Sequence, residues 1–324
     1  MQRRHLARFA LSLCLLAPAF ASAQAPGYPN QPIQVVSPFA PGSTDQMLRP
    51  FLEKLPEFLG QPAVLSYKPG AGGAVGAGFV AAAKPDGYTL VGTSIGSIVL
   101  GPLANKESAK FTLDSFVPVG AVAEGNLMMV VPAKSPFKTM KELVDYSRQN
   151  PGKLSYSSSG AMGITHILTE ILAKEAGVRW NHVAFQGSGP GVTALLGGHV
   201  DMSGTTAGPV QAHIKAGTLR PLAVFGDARM KAFPDVPTLK ELGYNVASPV
   251  VYGLLAPKGT PQAVVDSLYG ALVKVQAKYG DQIAANLAVS GAEPRVMSPK
   301  DYERHLQVQQ KLYVDAVKHI TLDR

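Results

Sequence analysis

Val35-Val36-Ser37-Pro38-Phe39-Ala40-Pro41-Gly42-Ser43-Thr44-Asp45 carries an apolar strand through a short Gly/Ser/Pro loop into the start of a helix. The device returns at His182-Val183-Ala184-Phe185-Gln186-Gly187-Ser188-Gly189-Pro190. At such a junction the first backbone N–H groups of the helix have no partner within it, and the positive end of its dipole points at the same spot. Each junction is therefore a receptor for a carboxylate or phosphate. Two of them predict a chain that grips an anion from both sides.

Outward from these loops, strand and helix signals alternate, which argues for an α/β protein with mostly parallel sheets. Residues 33–37, 63–67 and 88–93 read as strands, and Met47, Leu48, Phe51, Leu52 and Leu55 recur at helical spacing before Gly60. Pro50 inside that pattern is expected to kink the helix or delay its regular start. Residues 72–83 read as a helix of small residues. Residues 127–131, 154–157, 183–185, 200–203, 219–225 and 250–256 continue the strands. Ile164, Ile167, Leu168, Ile171 and Leu172 mark a helix face, and 261–278 and 299–318 read as long amphipathic helices. The Pro-marked segments 131–136 and 233–237 bracket a middle block. That block is expected to be a second lobe, 125–246, inserted into a first lobe made of 24–124 and 247–324. The two crossings can act as a hinge.

Arg3, Arg4 and Arg8 precede an apolar run from Phe9 to Ala17 and the small-x-small site Ala21-Ser22-Ala23, so residues 1–23 read as a cleaved signal peptide. The run is shorter than the roughly 18 to 20 apolar residues of a spanning helix. Export to the periplasm follows, by the general secretory route, with Arg3-Arg4 only faintly resembling a twin-arginine signal. Cys14 leaves with the leader, so the mature chain has no disulfide and folds by burial alone. Loss of the three arginines takes the formal charge from +8 to +5, spread with no basic block, which argues against a nucleic-acid partner. No later stretch reaches spanning length, so a soluble monomer is expected.

Candidate contacts cluster at strand ends. They are Pro41, Gly42, Ser43, Thr44 and Asp45 in the first loop and Gly187, Ser188, Gly189 and Pro190 in the second. Thr93 and Ser94 follow the third strand; Ser158, Ser159 and Thr165 span another strand-to-helix turn; Asp201, at a strand end, caps or orients the site. Ser43 or Asp45 is also expected to cap the first helix. His166 beside the turn is assigned a structural hydrogen bond. Gly70 to Gly76 reads as scaffold, because a dinucleotide fingerprint needs glycine where Val75 stands. Gly92-Thr93-Ser94-Ile95-Gly96 fits the nucleophile elbow of a serine hydrolase. Such an elbow needs a late histidine and acid, and His305 and His319 both fall in surface helices. No catalytic residue, cofactor or metal site is therefore assigned.

Lys68-Pro69-Gly70-Ala71-Gly72-Gly73-Ala74-Val75-Gly76, followed by Ala83-Lys84-Pro85-Asp86-Gly87-Tyr88-Thr89-Leu90, resembles the hallmark of the Bug, or TctC-like, substrate-binding proteins of tripartite tricarboxylate transporters. Further pieces match in order across the mature chain: 150–157, 187–190, 196–201, 215–224, 234–238 and 253–261. The resemblance implies a type II periplasmic binding-protein fold, with two mixed sheets flanked by helices and a ligand cleft between two lobes. It implies that residues 41–45 and 187–190 hold a solute carboxylate through N–H groups, hydroxyls and water, and no Lys or Arg lies in either loop. The implied ligand is a small organic anion: a di- or tricarboxylate, or a carboxylate bearing an aromatic or amino group. The implied partners are the large and small membrane subunits of the transporter, and a solute-sensing adaptor would share the same sequence. Ser43 replaces the family's second loop glycine, Tyr67 stands where Asn is common, and Pro50 replaces a helix-friendly residue.

Overall fold

The computed structural model describes residues 27–104, 109–247 and 249–318. The export segment 1–23, Cys14 and His319 lie outside the described residues. The strands are β1 (Ile33–Ser37), β2 (Ala63–Tyr67), β3 (Thr89–Thr93), β4 (Phe116–Gly125), β5 (Leu127–Pro132), β6 (Ser155–Ser158), β7 (Asn181–Ala184), β8 (Met202–Thr206), β9 (Leu219–Val224), β10 (Val250–Pro257) and β11 (Ala292–Met297). They form two sheets, in the orders β11-β4-β10-β3-β1-β2 and β7-β6-β8-β5-β9. Each sheet is the floor of one lobe.

Both sheets are mixed. The pairs β1/β2, β1/β3, β6/β7 and β6/β8 are parallel, while β10 with β3, β10 and β11 with β4, and β5 with β8 and β9 are antiparallel. The expectation of mostly parallel sheets is thus corrected. The cause is the crossing between lobes: β4 ends at Gly125 and β5 begins at Leu127, so the chain changes sheets with a single residue between strands. β10 (VVYGLLAP) is buried along its whole length between β3 and β4, which explains its unbroken apolar run.

The helices are α1 (Ser43–Leu52), α2 (Pro56–Leu59), α3 (Ala74–Ala81), α4 (Gly101–Ala104), α5 (Met140–Gln149), α6 (Ile164–Ala176), α7 (Ser188–Leu196), α8 (Gly208–Lys215), α9 (Gln262–Val289) and α10 (Pro299–Lys318). Pro50 lies inside α1, which stops two residues later; Pro56 opens α2, and Gly60 closes it in the left-handed conformation. α5 starts with a capping box in which the Thr139 hydroxyl and the Glu142 carboxylate accept each other's backbone N–H. Met47, Leu48, Phe51 and Leu52 of α1 are buried in the core over the first sheet. That packing fixes where the N-terminus of α1 points: toward the second lobe.

Candidate functional site

The two loops found in the sequence meet each other. Gly42 is the N-cap residue of α1 and Gly187 that of α7, and neither helix start has a side-chain cap. This corrects the expected capping by Ser43 or Asp45. Ser43 is already the first helical residue, and it turns its hydroxyl across the cleft instead. The Ser188 Oγ accepts from the Ser43 backbone N–H at 2.9 Å and from the Ser43 hydroxyl at 2.8 Å. The Ser43 Oγ also lies 2.5 Å from the Thr206 Oγ1 at the end of β8. Just ahead of the two loops, the Ala40 N–H donates to the Gln186 carbonyl at 2.7 Å.

The backbone approach is as close as the chain permits. A Cβ placed on Gly42 would stand 2.4 Å from the Ser188 Oγ, and one on Gly189 would stand 2.5 Å from the Pro41 carbonyl oxygen. Gly187 has φ near 146°, a conformation open to glycine and rarely to other residues. Both loops are therefore built for contact through backbone, with Pro41 and Pro190 exposed at their edges.

Hydroxyls line the strand ends around this meeting point. Thr93 Oγ1 pairs with Ser97 Oγ at 2.6 Å, Ser157 Oγ donates to Ser203 Oγ at 2.9 Å, and the Ser159 N–H donates to the Thr165 Oγ1 at 2.9 Å. Thr44, Ser94 and Ser158 are buried alongside them. Ser158 Oγ lies 2.7 Å from His182 Nε2, and His166 Nδ1 accepts the Met162 N–H at 2.9 Å. The two imidazoles stack at 3.7 Å between centroids. Burial pushes His182 down to about 4, and burial plus the neighbouring His182 pushes His166 down to about 3, so both are neutral at pH 7 and the His166 Nδ1 is free to accept.

Charge is kept away from the loops. The Asp45 Oδ1 accepts from Arg49 at 2.8 Å and from the Tyr67 hydroxyl at 2.6 Å, which commits the one ionisable side chain of the first loop to its own lobe. Asp201 is misplaced by the sequence reading. Its Oδ2 accepts from the Ser155 N–H at 2.7 Å and hydroxyl at 2.8 Å, at the start of β6. Ser158 closes the opposite, C-terminal end of that strand, where parallel strands present ligand sites. Asp201 belongs to the far edge and orients β6, not the cleft.

Ser94 has the strand-to-helix setting of a nucleophile elbow but not its strain. Ala71 and Met162 are the non-glycine residues with positive φ among those described, and Ser94 is not one of them. It is 3% exposed, and no histidine among the described residues hydrogen-bonds it. No group of three or more His, Cys, Asp or Glu among the described residues could hold a metal ion. The sequence reading overlooked Thr206, Ser203 and Ser97. The run Ser203-Gly204-Thr205-Thr206 at a strand end was the available signal.

A third inter-lobe contact involves the glycine run. A Cβ on Gly72 would stand 2.2 Å from the Ala161 carbonyl oxygen of the second lobe. The run 70–76 was expected to be scaffold; Gly72 instead meets the other lobe directly.

The chain has relatives among known proteins in both sequence and fold. Residues 47–322 match the model of the tripartite tricarboxylate transporter family receptor. A "UPF0065 protein in gbd 5'region" of Cupriavidus necator is 37% identical over 310 residues, 93% of each chain. The solved periplasmic binding protein BugD is 28% identical with a TM-score of 0.83, covering 90% of this chain and 98% of its own. Rpa4515 of R. palustris, solved with adipate, is 28% identical with a TM-score of 0.84, covering 90% of this chain and 97% of its own. Among the described residues no helix is long and apolar enough to cross a membrane.

Proposed function

The chain belongs to the tripartite tricarboxylate transporter receptor family, and from that premise we propose that it works in the periplasm as a non-catalytic receptor. It captures a small carboxylate between its lobes and presents it to the large and small membrane subunits of a transporter. The observation that carries the reading is the Ser43–Ser188 contact. Two helix N-termini face one another across the lobes, their N–H groups and hydroxyls converge, and no fixed cation is present among residues 41–45 and 187–190.

The Ser188 hydroxyl now takes the Ser43 N–H. A carboxylate oxygen is a stronger acceptor and would take its place, joined by N–H groups from Gly187 to Gly189. With no Lys or Arg to hold the charge, binding rests on dipoles and hydroxyls, which suits a protein that must release its cargo. Lobe 1 is assigned to 24–124 and 247–324 and lobe 2 to 125–246, hinged at the two crossings. Solute contacts are assigned to Pro41, Gly42, Ser43, Thr44, Gly187, Ser188, Gly189 and Pro190, with Thr93, Ser94, Ser158, Ser159 and Thr165 around them.

A thermal-shift screen of mono-, di- and tricarboxylates tests the reading. A ligand at a hundredfold excess over its Kd stabilises the form it binds by about 2.7 kcal/mol, enough to raise Tm measurably. A clear shift with a sugar or cation and none with any carboxylate would sink it.

A further inference from the structure

Next to the loop pair lies a cavity of about 180 Å³ lined by both lobes. Phe39 and Ala71 face it from the first lobe, and Ser159, Ala161, Ala184 and Phe185 from the second. Glycines of the 70–73 run complete the first-lobe side. Its side chains are thus two phenyl rings and several methyl groups, with one hydroxyl, the Gln186 carboxamide at the end next to the loops, and no ionisable group. It is continuous with the anion loops: Phe39 directly precedes Ala40, and Gln186, which also lines it, directly precedes Gly187. The bond from the Ala40 N–H to the Gln186 carbonyl marks where cavity and loop pair adjoin.

Size and polarity together select an occupant. An apolar cavity of roughly 150 Å³ holds one benzene ring, so this one has room for a single six-membered ring with a small substituent. A second carboxylate there would meet no cation, and a charge held in a cavity without one is costly. Phenyl walls favour a flat aromatic body through offset or edge contacts.

We propose that this cavity receives the body of the solute, and that the solute is an aromatic monocarboxylate whose ring lies between Phe39 and Phe185. The proposal rests on the carboxylate reading of the loop pair. Ser159 is the group placed to bond a hydroxyl or ring nitrogen on the aromatic body, and Phe39 and Phe185 are the specificity-determining residues.

The test is calorimetric titration of the full chain with benzoate, 4-hydroxybenzoate and nicotinate, set against malate, adipate and citrate. At least one aromatic acid is expected to bind about tenfold tighter than every aliphatic one. Ala184→Leu narrows the exposed mouth of the cavity and is expected to reduce that preference about tenfold. Phe185→Ala, melted alongside to confirm folding, is expected to reduce the same ratio by loss of ring contact. Tighter binding of an aliphatic di- or tricarboxylate than of all three aromatic acids overturns the proposal. So does an equal loss for both series in the two variants. Binding of the aliphatic series alone leaves the loop-pair reading standing while the cavity proposal fails; binding of neither series removes both.

Discussion

Gly189 and Ser43 test the grip at the scale of single atoms. The Gly189 backbone does not need a left-handed φ, so the cost of a side chain there is purely one of space: its Cβ would fall 2.5 Å from the Pro41 carbonyl oxygen. That oxygen belongs to the other lobe, and opening the cleft relieves the clash without disturbing either core. Gly189→Val is therefore expected to melt near the parent temperature while its affinity for the solute falls roughly a hundredfold, a loss of about 2.7 kcal/mol. Ser43→Ala removes one hydroxyl that bridges Ser188 and Thr206, and is expected to cost about 0.5 to 1.5 kcal/mol of binding. Calorimetry on both variants decides the matter: parent affinity in the two together would place the carboxylate elsewhere in the cleft.

At the scale of elements, the turn from β6 to α6 is held from behind by the stacked pair of His166 and His182. His182 holds the Ser158 hydroxyl, which also bonds both backbone groups of Gly160, and His166 holds the Met162 N–H. Tyr156 lies tilted against both rings, and its hydroxyl donates to Glu170 on α6. In the folded chain the two histidines take protons at about 3 and about 4, against an unfolded value near 6.5. A depressed folded value means that below pH 6.5 the unfolded chain binds protons the native chain refuses. The stabilisation is therefore complete above about pH 6.5 and drains as pH falls toward 4, at up to about 1.4 kcal/mol per pH unit for each histidine. Urea unfolding between pH 7 and pH 5 is expected to show that slope, and the double variant His166→Phe, His182→Gln to flatten it. A parent protein equally stable at both ends of this range would refute the linkage. The elements themselves show what a sequence can reveal. β1, β2 and α10 lie where their apolar spacing put them, and both strand-to-helix junctions were legible because strand, loop and helix start are consecutive. β4 and β11 escaped, since Pro118, Gly120 and Pro294 break the usual strand pattern and are tolerated here by register shifts and an edge position. The meeting of Ser43 with Ser188 and Thr206 leaves no local trace at all, because it joins residues from different lobes. Asp201 was grouped with the cleft for a different reason: a loop's composition does not say which end of a sheet it serves, and its carboxylate serves the start of β6.

For the whole molecule, closure is a set of backbone contacts between lobes, and the chain meets them with glycine. Gly42 and Gly189 lie at the loop pair, Gly72 faces Ala161, and a Cβ on Gly96 would stand 2.9 Å from the backbone nitrogen of Ile164 at the start of α6. On the proposed hinge, the crossing from β4 to β5 and the return into β10 would let these faces separate as bodies, with each sheet retaining its own strands. Binding of a solute by both lobes, as proposed, would draw its free energy from the closed form alone, so the apparent Kd would be the intrinsic value divided by the closed fraction. Gly96 offers a clean lever, since its φ is not left-handed and a substitution acts through space alone. Gly96→Val is expected to fold cooperatively but to hold the lobes apart. If it leaves about one molecule in a hundred closed, affinity drops by about a hundredfold with every solute contact chemically intact. Small-angle scattering checks the mechanism directly: the parent should become more compact on adding solute, and Gly96→Val should stay extended at the same solute concentration. Gly270→Ala, on α9 with nothing within 4 Å of the added methyl, is the control and should compact like the parent. A Gly96→Val protein that compacts and binds as the parent does would show that the contact between Gly96 and α6 is no part of the form that holds the solute.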